Sequence, residues 1–328
     1  MQNVLPTADD VADAHLRIRE WIVETPVLES DELSRRIGTR VLLKAECLQR
    51  GGSFKIRGAL NRLLQLNAAE RGAGVVAFSS GNHAKAVAIA ARWLGCRATI
   101  VMPHDAPRAK LEGTRAHGAE VVLYDRERDD REAIAARLAA ERGAALVPPF
   151  DHAHVIAGQG TAALELGRAL ALKHLKLDAL YVPCSGGGLV AGSALGIKSQ
   201  FADCAVYAVE PMGYTRLADS LRAGERRVVT GHPPTLCDGL RAPTPGAITF
   251  AIDRRELAGA VAVDDDAVLE AMSLAAEHLK VVVEPSGAAA LAALLRSPPH
   301  GSCVGVILSG GNVDAELLSK AVTRHSTI

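Results

Sequence analysis

Gly51-Gly52-Ser53-Phe54-Lys55-Ile56-Arg57-Gly58-Ala59 places a glycine-opened turn directly before a helical stretch, with a lysine in the first helical turn. A lysine there feels the positive end of the helix dipole, which favours the neutral amine over the ammonium. A neutral lysine amine forms Schiff bases. Ser53 is placed to cap the helix through its hydroxyl, and Phe54 offers a flat apolar face beside the lysine, a setting that suits a planar aromatic ligand. Read alone, the stretch is more simply a capped helix start with a core phenylalanine and two solvated charges, so its meaning depends on the rest of the chain.

Outward from this turn the pattern is an alternation of short apolar strands and helices. Val41–Glu46 reads as the strand that delivers the chain to the turn, behind a helix over 7–22 capped by Thr7 and broken at Thr25-Pro26. Strands are expected at 75–79, 98–102, 120–124, 179–183, 206–209 and 304–308. Helices are expected at 82–93, 107–116, 130–142, 155–170, 188–198, 264–279 and 286–295, with a looser proline-rich passage at 233–245. Such alternation with short connectors builds mostly parallel sheets covered by helices, an α/β fold. No solenoid repeat or low-complexity segment interrupts it.

The chain has 328 residues, enough for two domains. Its 37 basic and 37 acidic residues balance, and no basic stripe marks nucleic acid or an anionic membrane surface as a partner. A small uncharged or zwitterionic ligand fits better. Six widely spaced cysteines form no Cys-x-x-Cys pair and read as reduced core residues of a cytoplasmic protein. There is no signal-like N-terminal pattern and no apolar run long enough to span a bilayer. His83, His152 and His154 match no metal-ligand spacing, and the last two are read as loop residues.

Three further stretches lie where strands end and helices begin, the usual position of ligand sites in α/β sheets. In Ser185-Gly186-Gly187-Gly188-Leu189, successive glycines let backbone N–H groups converge on one anion at a helix N-terminus. The stretch also fits a dinucleotide fingerprint, since Gly186-x-Gly188-x-x-Ala191 follows a strand and Glu210 ends the next one. On these residues alone both readings stand. Ser79-Ser80-Gly81-Asn82-His83 is placed to hold a carboxylate, and Ser309 closes a strand before Gly310-Gly311.

Taken together, Ser53–Ala59, Ser79–His83, Ala157–Thr161, Ser185–Leu189, Val283–Ala288 and Leu308–Asn312 resemble, in order, the motifs of the fold-type II pyridoxal 5'-phosphate (PLP) enzymes of the threonine/serine dehydratase and serine racemase family. The resemblance runs over residues 5 to 315. It implies an architecture like that of tryptophan synthase β: two open α/β domains, a larger PLP-binding one over 1–73 and 148–328 and a smaller substrate-side one over 74–147, with the cofactor in the cleft. It implies Lys55 as the catalytic lysine beside Phe54, phosphate held by Ser185, Gly186, Gly187, Gly188 and Leu189, Asn82 at the cofactor's phenolic oxygen and Ser309 at its ring nitrogen. Substrate carboxylate would be held by Ser79, Ser80, Gly81, Asn82 and His83, with Ser80 as acid/base on the face opposite Lys55. The implied activity is dehydration of L-threonine or L-serine to a keto acid and ammonia, by a homodimer or homotetramer. Serine racemase or hydroxyaspartate dehydratase activity is the near alternative; a dinucleotide-dependent oxidoreductase or a silent sensor are those of other classes.

Two departures accompany the resemblance. With the last motif ending near residue 315, no C-terminal amino-acid-sensing domain of the biosynthetic threonine dehydratases is expected, and a degradative role is. In racemase-like members a divalent cation is held partly by a glutamate matching Glu210 and an aspartate for which this chain has Arg216. Two readings of Arg216 stand: it pairs with Glu210 and supplies fixed positive charge in place of a metal, or it is a solvated arginine beside an empty site.

Overall fold

The ten strands of the computed structural model, which describes residues 5–79, 81–106, 108–231, 233–297 and 301–323, fall into two sheets. They are β1 (Val27–Glu29), β2 (Arg40–Ala45), β3 (Val75–Phe78), β4 (Ala98–Pro103), β5 (Glu120–Tyr124), β6 (Ala145–Leu146), β7 (Ala179–Pro183), β8 (Ala205–Pro211), β9 (Gly259–Val263) and β10 (Cys303–Leu308). The larger sheet runs β1-β2-β10-β7-β8-β9, parallel except for β1; the smaller runs β5-β4-β3-β6, parallel throughout. Two α/β units, one around each sheet, are what the resemblance implies. Every position of β7 and β10 is buried, as expected for strands covered on both faces by helices.

The register of the larger sheet decides where the site forms. β10 lies between β2 and β7, with Val304 opposite Val41 on one side and Ala179 on the other. Three segments far apart in sequence therefore leave adjacent parallel strands at the same edge: the lysine turn after β2, the glycine loop after β7 and Ser309 after β10.

Expected strands and helices are present with ends shifted by a few residues. Thr7 caps the first helix in a capping box with Asp10, but that helix is Ala8–Ile18 and stops well short of residue 22. Asp264 caps the helix Asp265–Leu274, which passes into a wider π turn over Ala275–Leu279. Of the two histidines read as loop residues, His152 stays outside regular structure and His154 does not. His152 caps the helix Ala153–Leu172 by accepting from the His154 backbone N–H at 3.1 Å, and His154 lies within that helix. Strands β1, β6 and β9 and the helices Asp31–Ile37, Ala68–Ala73, Arg216–Ala223, Ala247–Glu256 and Ala315–Thr323 are additional to the sequence reading.

Helices Ala153–Leu172 and Gly188–Lys198 meet backbone to backbone. A methyl group on Gly192 would stand 2.3 Å from the Ile156 carbonyl oxygen, and one on Gly160 would stand 2.4 Å from that of Gly192. On the opposite face of the sheet the helices Asp265–Leu274 and Pro285–Arg296 pack through small and branched residues such as Ala271, Met272, Ala289 and Leu291. The lysine helix, Lys55–Leu64, belongs to neither sheet alone. Its Ile56, Leu60 and Leu63 share one core with Ile18, with Val75 and Ile100 of the smaller sheet and with Val87 of the helix Asn82–Trp93.

The other face of that helix carries charge into the interior. Arg57 is fully buried and forks onto two carboxylates. Nε and Nη2 donate to Glu46 at 2.7 and 2.8 Å, and Nη1 and Nη2 donate to Glu165 at 2.6 and 2.7 Å. Lys44 completes the group, donating to Glu165 at 2.7 Å and to the Thr25 carbonyl at 2.6 Å. Burial pushes the Glu165 carboxyl up, and Arg57 and Lys44 outweigh it, holding it below its ordinary value. Two cations and two anions thus neutralise one another where water is excluded. Removing one partner leaves a buried charge uncompensated, a loss of about 3–5 kcal/mol. Arg57→Met is therefore expected to lower the unfolding free energy by about that amount in urea titration of the cofactor-free protein.

Candidate active site

Two consecutive left-handed glycines, Gly51 (φ 75°) and Gly52 (φ 77°), turn the chain from β2 into the lysine helix, a path that side-chain-bearing residues rarely take. The turn is then clasped by the far end of the chain. Gly311 N–H donates to the Gly52 carbonyl at 2.9 Å, the Asn312 amide donates to the Gly51 carbonyl at 2.8 Å and Phe54 N–H donates to the Ser309 carbonyl at 3.1 Å. Ser53 does not cap the helix as expected. Its backbone is extended and pairs with Gly310, and Phe54 occupies the cap position without a side-chain bond.

Lys55 is half-buried, with its Nζ 5.1 Å from the centre of the Phe54 ring and donating to the Pro149 carbonyl at 2.7 Å. Burial lowers its pKa to about 8. The sequence pointed to the helix dipole for this effect; loss of water around the amine is the cause found. At neutral pH a useful fraction is thus the free amine, where an exposed lysine would be almost wholly protonated.

Pro149 belongs to a short strap that joins the smaller sheet to the larger. At its start the Val147 carbonyl meets His83 Nε2 at 2.9 Å, so that nitrogen carries the hydrogen. Burial, then the charge of Lys55, push His83 down to about 3, so the ring is neutral. Phe150, the residue after Pro149, lies against the glycine loop: a methyl on Gly186 would stand 2.4 Å from its ring, and one on Gly188 2.9 Å from its Cβ. Asp151 then caps the helix Ala247–Glu256, accepting from the N–H groups of Ala247, Ile248 and Thr249.

The glycine loop is backed on its other side by that same helix. Thr249 Oγ1 donates to the Gly186 carbonyl at 2.7 Å, and a methyl on Gly187, whose φ is 96°, would stand 2.8 Å from Thr249. Ser185 Oγ accepts from Ala242 N–H at 3.2 Å, and Leu189 is buried in the first turn of the helix that begins at Gly188. With phenylalanine below and threonine behind, only glycines fit. The loop's N–H groups at the helix start form a cradle suited to a phosphate.

From the smaller sheet comes the loop after β3. Ser79, Gly81, Asn82 and His83 lie at the start of the helix Asn82–Trp93, where backbone N–H groups suit a carboxylate. Ser80 lies outside the described residues. Asn82 bridges the two domains. Its Nδ2 donates to Glu284 Oε1 at 2.6 Å, and its Oδ1 accepts from Asn312 at 2.8 Å, leaving one amide hydrogen for a ligand. Glu284, which the sequence presents only as part of the motif Val283–Ala288, is buried here. Burial and the charge of Asp238 raise its carboxyl to about 8, against the Asn82 bond and Lys110. Lys85 and Lys110 are not solvated as their helix positions suggest: Lys85 donates to Asn312 at 3.1 Å and Lys110 to Asp238 at 2.8 Å.

Away from this cleft, Glu210 at the end of β8 and Arg216 face each other, both fully buried, 3.3 Å apart. Glu210 also accepts from Leu217 and Ala218 N–H at 3.0 Å each, and Arg216 Nη2 donates to the Cys184 carbonyl at 2.9 Å. Of the two readings of Arg216, the ion pair is the one present. Its guanidinium fills the space between the glycine-loop strand and the next helix.

A lysine with a lowered pKa, a glycine cradle and Ser309 at the end of the strand between them are the parts that PLP needs, and the cradle's lack of room for any side chain fits its phosphate. Comparison with known proteins agrees. Residues 18–310 match the family model described as "Pyridoxal-phosphate dependent enzyme". The chain is 45% identical to L-threo-3-hydroxyaspartate ammonia-lyase of Saccharomyces cerevisiae, over 95% of this chain and 94% of that one. It is 43% identical to serine racemase of Schizosaccharomyces pombe, over 95% and 96% of the two chains. Among solved structures, maize serine racemase superposes with a TM-score of 0.91 at 37% identity, covering 98% of each chain. The chain belongs to the fold-type II PLP-dependent enzymes, within the threonine/serine dehydratase and serine racemase family.

Proposed function

We propose that this PLP-dependent enzyme of small amino acids is an ammonia-lyase that dehydrates L-serine or L-threonine to a 2-keto acid and ammonia. The observation that carries the reading is Lys55: its amine, with a pKa brought down to about 8, bonds the Pro149 carbonyl, and the next residue, Phe150, packs on the glycine loop. When bound, PLP supplies the electron sink that makes the substrate's α-hydrogen acidic. Lys55 would hold the cofactor's aldehyde carbon, Gly186–Leu189 its phosphate, Asn82 its phenolic oxygen and Ser309 its ring nitrogen.

The remaining work belongs to the protein's own groups. Backbone N–H groups at Gly81, Asn82 and His83 orient the substrate carboxylate, which turns the Cα–H bond towards Lys55. The amine of Lys55, once free, takes that proton at Nζ, and Pro149's carbonyl is there to receive the resulting ammonium N–H. Glu284 and Asn82 keep the cleft wall fixed with a carboxyl that burial favours in its neutral form. The lysines nearest this wall are engaged, Lys110 by Asp238 and Lys85 by Asn312, which supports a substrate with a neutral side chain. The hydroxyaspartate and racemase names of the relatives supply the second reading, in which the substrate carries a second carboxylate or the proton returns on the opposite face.

Keto-acid release from L-serine, L-threonine and L-threo-3-hydroxyaspartate, with chiral analysis of residual serine, separates these readings. The neutral substrates are expected to give the higher kcat/KM; a marked preference for hydroxyaspartate, or D-serine as main product, would replace the proposal. Lys55→Ala should remain folded, show no visible band of lysine-bound cofactor and lose turnover. The rate at which cofactor-free protein captures PLP should rise with pH and level off above about 8, because the capturing form is the neutral amine. Finally, the Glu210–Arg216 pair leads us to expect activity indifferent to magnesium and chelator. Arg216→Ala should lose stability that magnesium does not restore, whereas saturable magnesium activation of the wild type would contradict this.

A further inference from the structure

Behind the glycine loop lies a carboxyl group that the chemistry above does not use. Asp253 stands one turn after Thr249 on the helix Ala247–Glu256, is fully buried, and neither of its oxygens has a hydrogen-bond partner among the described residues. Its Oδ2 presses on the loop itself: a methyl on Gly187 would stand 2.9 Å from it. An ionised carboxylate with no donor is a costly object in a dry interior.

The groups around it make the ionised form worse. From β8 the charge that acts on it is Glu210, an anion. The end of β7 contributes the Cys184 thiol, itself pushed well up by burial and by Glu210. On its own helix the Thr249 hydroxyl is committed to the Gly186 carbonyl, and Arg254 lies over the Phe250 ring, 5.7 Å from its centre. Arg216 directs Nη1 and Nη2 to Glu210 and to the Cys184 and Tyr214 carbonyls; its Nε is buried without a partner among the described residues and does not bond Asp253. Among the described residues no cation balances Asp253, and burial followed by Glu210 pushes its carboxyl well above the usual range.

We propose that Asp253 is a proton-bearing, neutral carboxyl that backs the phosphate loop, a positioning residue whose proton keeps a negative charge from standing behind the bound phosphate. An anion there would oppose the phosphate across a single glycine. As a neutral acid it fills the same space without that repulsion and offers one O–H donor to the loop side. The sign of the pH effect follows. The unfolded chain releases this proton near the ordinary carboxyl pKa, whereas the folded chain keeps it, so the contribution to stability is full below the unfolded pKa and drains away as pH rises towards the folded one.

The test compares wild type with Asp253→Asn, a permanently neutral amide of nearly the same shape, in urea unfolding of cofactor-free protein across pH. Above about pH 5 the wild-type folding constant is expected to fall relative to the variant by up to about tenfold per pH unit, and parallel profiles would overturn the proposal. In a second arm PLP is titrated at neutral pH. The variant should bind it as the wild type does, while a large loss would show that a carboxylate is needed and sink the idea. Should the variant fail to fold, the Asp253 carboxyl-carbon signal in NMR of the wild type decides: protonated at neutral pH supports the proposal, ionised refutes it. The unfolding and NMR arms do not depend on the loop being the phosphate site, whereas the PLP arm does, so failure of that assignment is distinguishable.

Discussion

The fork of Arg57 between Glu46 and Glu165 is the constraint on which the site depends. It stands two residues after Lys55, and it ties the lysine helix to the segment after β2 and to the long helix Ala153–Leu172. Burial of four charges contributes little net stability, since desolvation offsets most of their attraction. What such a group supplies is a narrow choice of geometry: guanidinium and carboxylates meet in two planar bidentate contacts, and a small rotation of the helix would break both. The direction of Lys55 is thereby set from beneath, by atoms that never meet a ligand.

The second constraint is space. Around the glycine loop Phe150, Thr249 and Asp253 leave no room for a Cβ, and between the two long helices Gly160 and Gly192 leave none either. Phe150 and Asp151 belong to the strap whose carbonyls hold Lys55 and His83. The amine, the imidazole, the loop and the helix behind it thus share one rigid connection, and only small residues let these parts approach so closely.

Much of this was legible in the sequence because it rests on local patterns. Strand runs ending in glycine and serine announce where ligands bind, and Lys55 in its glycine turn, Gly186–Gly188 after β7 and Ser309 after β10 all lie where that logic places them. The less legible parts depend on residues brought together from afar. Glu284 and Asn82 are some two hundred positions apart, and no periodicity reveals that they touch. Asp253 stays unread together with its helix Ala247–Glu256, since its isolation is visible only once Gly187 is packed against it. Ser53 shows the opposite error: a good capping residue before a helix was drawn into a strand-like pairing with Gly310, because tertiary hydrogen bonds outweighed the local preference.

The place of β10 has a consequence for how the protein is made. It is the last strand of the sheet to be synthesised, yet it sits in the middle, between β2 and β7. Until it emerges, β2 and β7 have no common neighbour, and the lysine turn lacks the Ser309, Gly311 and Asn312 contacts that clasp it. Parallel pairings between such distant segments close slowly, because large loops must be ordered before the contacts that stabilise them form. A nascent chain therefore carries Lys55 and the glycine loop before it possesses the candidate site, whose clasp forms only with the last strand among the described residues.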